Sequence, residues 1–95
     1  MVDNLRYYIA CNSGLTVLQG NGSGFQELGQ SFPGVTLEYI VGCREMPEVL
    51  FAAVAFDGGY RSEDGGLSWT KILDGDVRTF TIDPHDERVV YAGSG

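Results

Sequence analysis

With 95 residues, 43% of them apolar, and 14 glycines, the chain is expected to form one small domain around a single modest core. A formal charge of −7 disfavours nucleic acid and anionic membrane surfaces as partners, because both recruit clustered Lys and Arg. No apolar run approaches membrane-spanning length and Met1-Val2-Asp3-Asn4 does not begin a signal peptide, so a soluble, non-exported chain is expected, its compartment otherwise unassigned.

Abundant glycine beside aromatic and β-branched residues points to short strands joined by tight turns. The first strand-like run is Tyr7-Tyr8-Ile9-Ala10, followed across a turn by Ser13-Gly14-Leu15-Thr16-Val17. Leu18-Gln19-Gly20-Asn21-Gly22-Ser23-Gly24-Phe25 then supplies a glycine-rich turn with an aromatic at its end. Val35-Thr36-Leu37-Glu38-Tyr39-Ile40-Val41 alternates partially, as a strand with two unequal faces should. Leu50-Phe51-Ala52-Ala53 and Gly58-Gly59-Tyr60-Arg61-Ser62 repeat the pattern of the first pair of strands. Val77-Arg78-Thr79-Phe80-Thr81-Ile82 is the next strand; Pro84 and the charged loop after it end that ladder before Val90-Tyr91-Ala92-Gly93. No apolar helical stripe survives the glycines and prolines.

The most specific signal is Ser62-Glu63-Asp64-Gly65-Gly66-Leu67-Ser68-Trp69, which reads Ser-x-Asp-x-Gly-x-x-Trp. Asp64-Gly65-Gly66 is a hairpin-turn signal, since glycine tolerates the positive φ of tight turns. Asp64 can accept N–H bonds within its own turn, Ser62 can tie the strand end, and Trp69 offers an apolar body to bury beneath it. That arrangement favours a structural role for Asp64 over a catalytic or metal-binding one.

This motif resembles the Asp-box, or BNR, repeat of sialidases, some β-glucan hydrolases, sortilin-type receptors and photosystem assembly factors, all of them β-propellers. The resemblance implies an all-β fold of two antiparallel, four-stranded propeller-type blades plus a partial strand. Residues 5–34 would form an incomplete first blade with a degenerate box, in which Phe25 replaces Trp69. Residues 35–76 would form the second blade, with its box at 62–69 (Ser62, Asp64, Gly66 and Trp69 as the structural residues), and residues 77–95 the start of a third. Lettering blade strands A to D from the propeller axis outward, the chain reads B-C-D, A-B-C-D, A-B, with the box joining C to D.

A closed propeller needs four to eight blades, so the expected solutions are a homo-oligomeric ring or a piece of a longer propeller. Residues 77–82 of one copy could add to the open edge of the next copy's first blade, although residues 89–92 would compete with Tyr7–Ala10 for that place.

Sialidase relatives imply an arginine cluster, whereas Arg6, Arg44, Arg61, Arg78 and Arg88 are scattered here. Glucan-cleaving relatives imply two carboxylates flanking the bond, and nothing selects such a pair. No catalytic residue, metal ligand or cofactor is therefore assigned; Asp74-Gly75-Asp76 lacks the EF-hand pattern, and His85 reads as a surface-loop residue.

The candidate binding residues lie in the D-to-A and B-to-C connections: Asn12, Ser13, Gln30, Phe32, Asp57, Asp74 and Asp76, with Ser31 and Phe56 beside them. Amide, hydroxyl and carboxylate groups next to an aromatic suit sugar hydroxyls and ring faces, while the same residue types also build turns. The expected function is a non-catalytic blade module for protein or carbohydrate binding. The alternatives are a truncated glycoside hydrolase whose catalytic residues lie elsewhere, or a scaffold or assembly factor. Cys11 and Cys43 are expected to be free, partly buried thiols, and Tyr39, Phe51, Phe80 and Tyr91 to face the core.

Overall fold

The computed structural model describes residues 5–11 and 14–94, with only the backbone of Cys11. The described residues form nine strands and no helix. They are β1 (Arg6–Cys11), β2 (Gly14–Gly20), β3 (Phe25–Ser31), β4 (Leu37–Gly42), β5 (Leu50–Val54), β6 (Gly58–Ser62), β7 (Thr70–Asp74), β8 (Val77–Ile82) and β9 (Val90–Ser94). Each sheet is an antiparallel meander: β1-β2-β3, then β4-β5-β6-β7, then β8-β9. None of the three closes on itself, and the partition into three, four and two strands is the one read from the sequence.

The sheets pack face to face in chain order. Alternate side chains of a strand point to opposite faces, and β5 uses both. Ala52 and Val54 join Leu15, Val17 and Leu37 in a cluster against the first sheet, with Tyr8, Leu28, Phe32, Tyr60 and Trp69 around it. Phe51 and Ala53 join Cys43, Val49, Val77 and Phe80 in a second cluster against the third sheet. The single core expected from chain length is therefore two cores, one on each face of the middle sheet. This is why residues 50–54 read as an unbroken apolar run and are buried throughout.

Phe51 and Phe80 are buried as expected, with ring centroids 5.5 Å apart. Tyr39 and Tyr91 are not: they are 41% and 56% exposed. Tyr91 lies on the outward face of the last sheet, which no other sheet among the described residues covers. Cys43 is a buried free thiol whose pKa burial pushes up; the side chain of Cys11 lies outside the described residues.

One stretch of chain is built twice. Both β4–β5 and β8–β9 carry a register shift near the start of their first strand, between Leu37 and Tyr39 and between Val77 and Thr79. Their seven-residue loops share the same backbone bonds: Cys43 N–H to Val49 O and Val49 N–H to Met46 O, then Asp83 N–H to Val89 O and Val89 N–H to Asp86 O. Every matching residue lies forty positions on, from Cys43 to Asp83 and from Val49 to Val89.

Candidate functional site

A meander sends successive connections to alternate ends of its sheet. The β2–β3 turn, the two seven-residue loops and the β6–β7 turn lie at one end; the connections before β4, β6 and β8 lie at the other. The Ser62–Trp69 motif occupies the first end and the candidate binding residues cluster toward the second.

The motif is a closed hydrogen-bond net. Asp64 Oδ1 accepts from Leu67 N at 3.0 Å, Ser68 N at 2.9 Å and Ser62 Oγ at 2.8 Å, while Oδ2 accepts from Ser68 Oγ at 2.5 Å. The buried Ser62 Oγ in turn accepts from Gly66 N at 2.9 Å, and Trp69 Nε1 donates to Gly66 O at 3.1 Å. The Ser68 hydroxyl and amide, followed by Ser62 and Leu67, hold the Asp64 carboxyl down at about 2, so it is an acceptor at neutral pH and not a proton donor.

The turn also touches the neighbouring sheet. Tyr8 Oη donates to Gly65 O at 2.9 Å and Arg6 Nη1 approaches the same oxygen at 3.5 Å. A Cβ on Gly66 would lie 3.0 Å from the Tyr8 ring, and one on Gly65 only 2.1 Å from Arg6 Nη1. The paired glycines thus serve both the turn (φ 77° and 92°) and the contact between sheets.

The first sheet has no such lock. Leu18, Gln19 and Gly20 are in β2, leaving a four-residue turn at Asn21–Gly24 closed by Asn21 N–H to Gly24 O. Phe25 begins β3, is 60% exposed and packs edge-on against Tyr7 at 5.2 Å. It does not take the place of Trp69, because the shorter turn has no room to bury an aromatic beneath it.

At the opposite end the structure gathers part of the expected set. Asp57, in the β5–β6 turn, accepts from Tyr60 Oη at 2.5 Å and from Lys71 Nζ at 2.8 Å; Lys71 also reaches Asp74 at 3.2 Å. Asp76, between β7 and β8, takes both arms of Arg78 at 3.0 Å each. The Arg78 guanidinium sits 5.6 Å from the centroid of Phe56, which is 81% exposed and holds φ at +58°. A bulky residue rarely adopts that conformation, and here it puts an aromatic ring at the tip of a three-residue turn.

The Lys71 ammonium and Tyr60 hydroxyl lower the pKa of Asp57, and the Arg78 guanidinium lowers that of Asp76. Lys71 is raised by Asp57 and Asp74, and Tyr60 by Asp57. At neutral pH the end is a mosaic of fixed charges of both signs around an exposed ring.

Other expected residues are placed differently. Gln30 and Ser31 are in strand β3 and not in a loop, with Gln30 Nε2 donating to Glu27 Oε1 at 3.4 Å. Asp74 is the last residue of β7 and its carboxylate extends into solvent beside Lys71. Phe32 also has positive φ, at 56°, but its ring is spent on Tyr60 and Trp69 at 4.9 and 5.3 Å. Asn12 and Ser13 lie outside the described residues. Lys71, Tyr60 and Arg78 were missed as members of this end; only the register of β6 against β7, and the shortness of the connection between β7 and β8, bring them in.

A cleft of about 520 Å³ opens at the motif's end of the molecule, between the two seven-residue loops, lined by Tyr39, Val41, Arg44, Phe80, His85 and Glu87 among others. Of its carboxylates, Asp83, Asp86 and Glu87 accept backbone N–H bonds that hold the loops. Glu87 accepts from Arg44 N and Glu45 N at 2.7 Å each, and Asp83 from His85 N at 2.8 Å. His85 is exposed in its loop, as expected. Among the described residues no His, Cys, Asp and Glu grouping could hold a metal ion, and no helix is long and apolar enough to cross a membrane.

Comparison with protein-family models, with curated proteins and with solved structures finds no match to this chain. The assignment of a function therefore rests on its own geometry.

Proposed function

We propose that the chain is a non-catalytic β-propeller-type module that binds carbohydrate at the Phe56 end of its sheets. The observation that carries the reading is Phe56 itself: an 81% exposed ring in a left-handed backbone conformation, beside Arg78 and between two sets of paired charges. The apolar face of a sugar ring stacks on such an aromatic, and its hydroxyls hydrogen-bond to carboxylates and cations alike. Asp57, Asp76, Lys71 and Arg78 supply both kinds of partner without needing to change protonation. Carboxyls held below their ordinary range are poor general acids at neutral pH, which favours binding over glycoside cleavage.

The propeller reading is supported by the hydrogen-bond net at residues 62–69 between the third and fourth strands of a four-stranded meander, and by consecutive sheets stacked face to face. On this reading residues 35–76 form one blade, residues 5–34 an incomplete blade and residues 77–95 the start of another.

A glycan-binding screen followed by titration calorimetry with the best neutral oligosaccharide tests the function. Phe56→Ala should lower affinity by at least about fivefold, the loss of a stacked ring being worth about 1–3 kcal/mol, with the unfolding midpoint unchanged. No glycan binding, or binding indifferent to Phe56, would overturn the reading; retention of a protein partner instead would move the site to protein recognition.

A further inference from the structure

The middle sheet shows how each kind of sheet face in this chain is covered. Its face bearing Ala52 and Val54 is buried by the first sheet, and its face bearing Phe51 and Ala53 by the third. On the first sheet, Tyr8 points inward to Gly65, so Tyr7 and Ile9 point outward, and Phe25 meets Tyr7 there. This outward face corresponds to the covered Ala52 side of the middle sheet, yet Ile9 is 49% exposed and Phe25 60%.

At the far end of the stack, the forty-residue repeat makes Tyr91 the counterpart of Phe51, Thr81 of Val41 and Gly93 of Ala53. Phe51 packs on Phe80 of the following sheet, whereas Tyr91 is 56% exposed and no other sheet among the described residues packs on it.

The two uncovered faces are therefore the two halves of an interface that the chain already makes twice within itself. A single partner that presents the missing half at both ends is another copy of the same chain.

We propose that the molecule associates head to tail, the outward face of the third sheet of one copy (Tyr91, Thr81, Thr79) packing on the outward face of the first sheet of the next (Tyr7, Ile9, Phe25). The contact is heterologous, so it propagates to a closed ring or an open array according to the angle between copies. It joins faces and not strand edges, and it keeps the β8–β9 ladder as it stands. The association is independent of any ligand at Phe56.

The test is a complementation by mass. Ile9→Arg blocks one half of the contact and Thr81→Arg the other, both at solvent-facing positions. Sedimentation of the wild-type chain from micromolar to millimolar concentration should show mass rising above the 10.3 kDa of one copy. Each variant alone should show a marked loss of self-association. A one-to-one mixture should form a dimer and stop there, because each variant retains the half that the other lacks. Phe25→Lys and Thr79→Lys repeat the test on the same two faces should either first variant fail to fold by near-ultraviolet circular dichroism. A wild-type chain that stays at the mass of one copy overturns the proposal and leaves the faces to further sheets or a different protein. Single variants that still assemble, or a mixture that does not, also overturn it.

Discussion

Replacing Asp64 by Asn is nearly isosteric, so it isolates the charge at the centre of the turn. One oxygen of the carboxylate accepts two backbone N–H bonds and the Ser62 hydroxyl, the other the Ser68 hydroxyl. The amide of Asn would keep one acceptor, lose the charge and aim an N–H group at Ser68. The fall of the Asp64 pKa from 3.8 to about 2 would amount to about 2.4 kcal/mol at 1.36 kcal/mol per pH unit in a shielded site. The carboxylate is exposed, and solvent screening reduces this to roughly 1–1.5 kcal/mol.

Because the folded pKa is depressed, the stabilisation is present in full above the unfolded value near 3.8 and is lost as pH falls through about 2. Urea unfolding followed by the fluorescence of Trp69, whose indole bonds to the same turn, should separate wild type from Asp64→Asn by roughly 1–1.5 kcal/mol at pH 7. The gap should close to less than about 0.5 kcal/mol near pH 2. Asp57, Asp76 and Asp86 are also depressed, but they titrate alike in both proteins and cancel in the difference. Equal midpoints at pH 7, or a gap that persists unchanged at pH 2, would refute the account of the turn.

Tyr8→Phe removes the hydroxyl that reaches Gly65 O across the sheets and should cost about 1 kcal/mol in chemical unfolding, with the fold retained. Gly66→Ala must hold φ at +92° with a Cβ 3.0 Å from the Tyr8 ring; the backbone alone should cost about 1–3 kcal/mol, measured as a shift in thermal midpoint. Phe80→Ala empties the centre of the second core and should cost about 3–5 kcal/mol, a large share of the stability of a domain this small, whereas Tyr91→Ala on the open face should leave the monomer's midpoint within about 0.5 kcal/mol.

The strands were legible because alternation and turn residues are local signals. Residues 50–53, 58–62 and 77–82 are read as strands from residue type and pattern, and the Asp64 net follows from residue types at fixed spacing within eight positions. What failed to read out depends on layering. Tyr91 carries the same aromatic, β-rich signal as Phe51, and only the order of the sheets decides which is covered; Tyr39, on the middle sheet, lines the cleft instead. Phe25 looked like a shortened Trp69 because sequence aligns residue types, while the four-residue turn at Asn21–Gly24 moves it onto a strand. Gln30 and Ser31 seemed to be loop residues since polar side chains mark loops on average, yet Gln30 on the outward sheet face and Ser31 at the strand's end serve a strand equally well. In the candidate site, Asp57 and Asp76 could be named from their turns. Lys71 and Arg78 could not, because their roles come from cross-strand register and from the aromatic above them.

The placement of the paired glycines bears on why the turn lock and the sheet contact occur together. Gly65 offers its carbonyl to Tyr8 of the preceding sheet, and a Cβ on Gly66 would lie 3.0 Å from that ring. The net around Asp64 fixes the plane of those two peptides, so the turn's internal bonds and its external contact share one geometry. Breaking the net should therefore loosen the first sheet from the second as well as the turn itself. Tyr8→Phe and Asp64→Asn should then be coupled: the double variant should lose less than the sum of the two single losses, by about 0.5 kcal/mol or more. Strict additivity in that cycle would mean that the turn and the sheet contact are independent features that merely meet at Gly65.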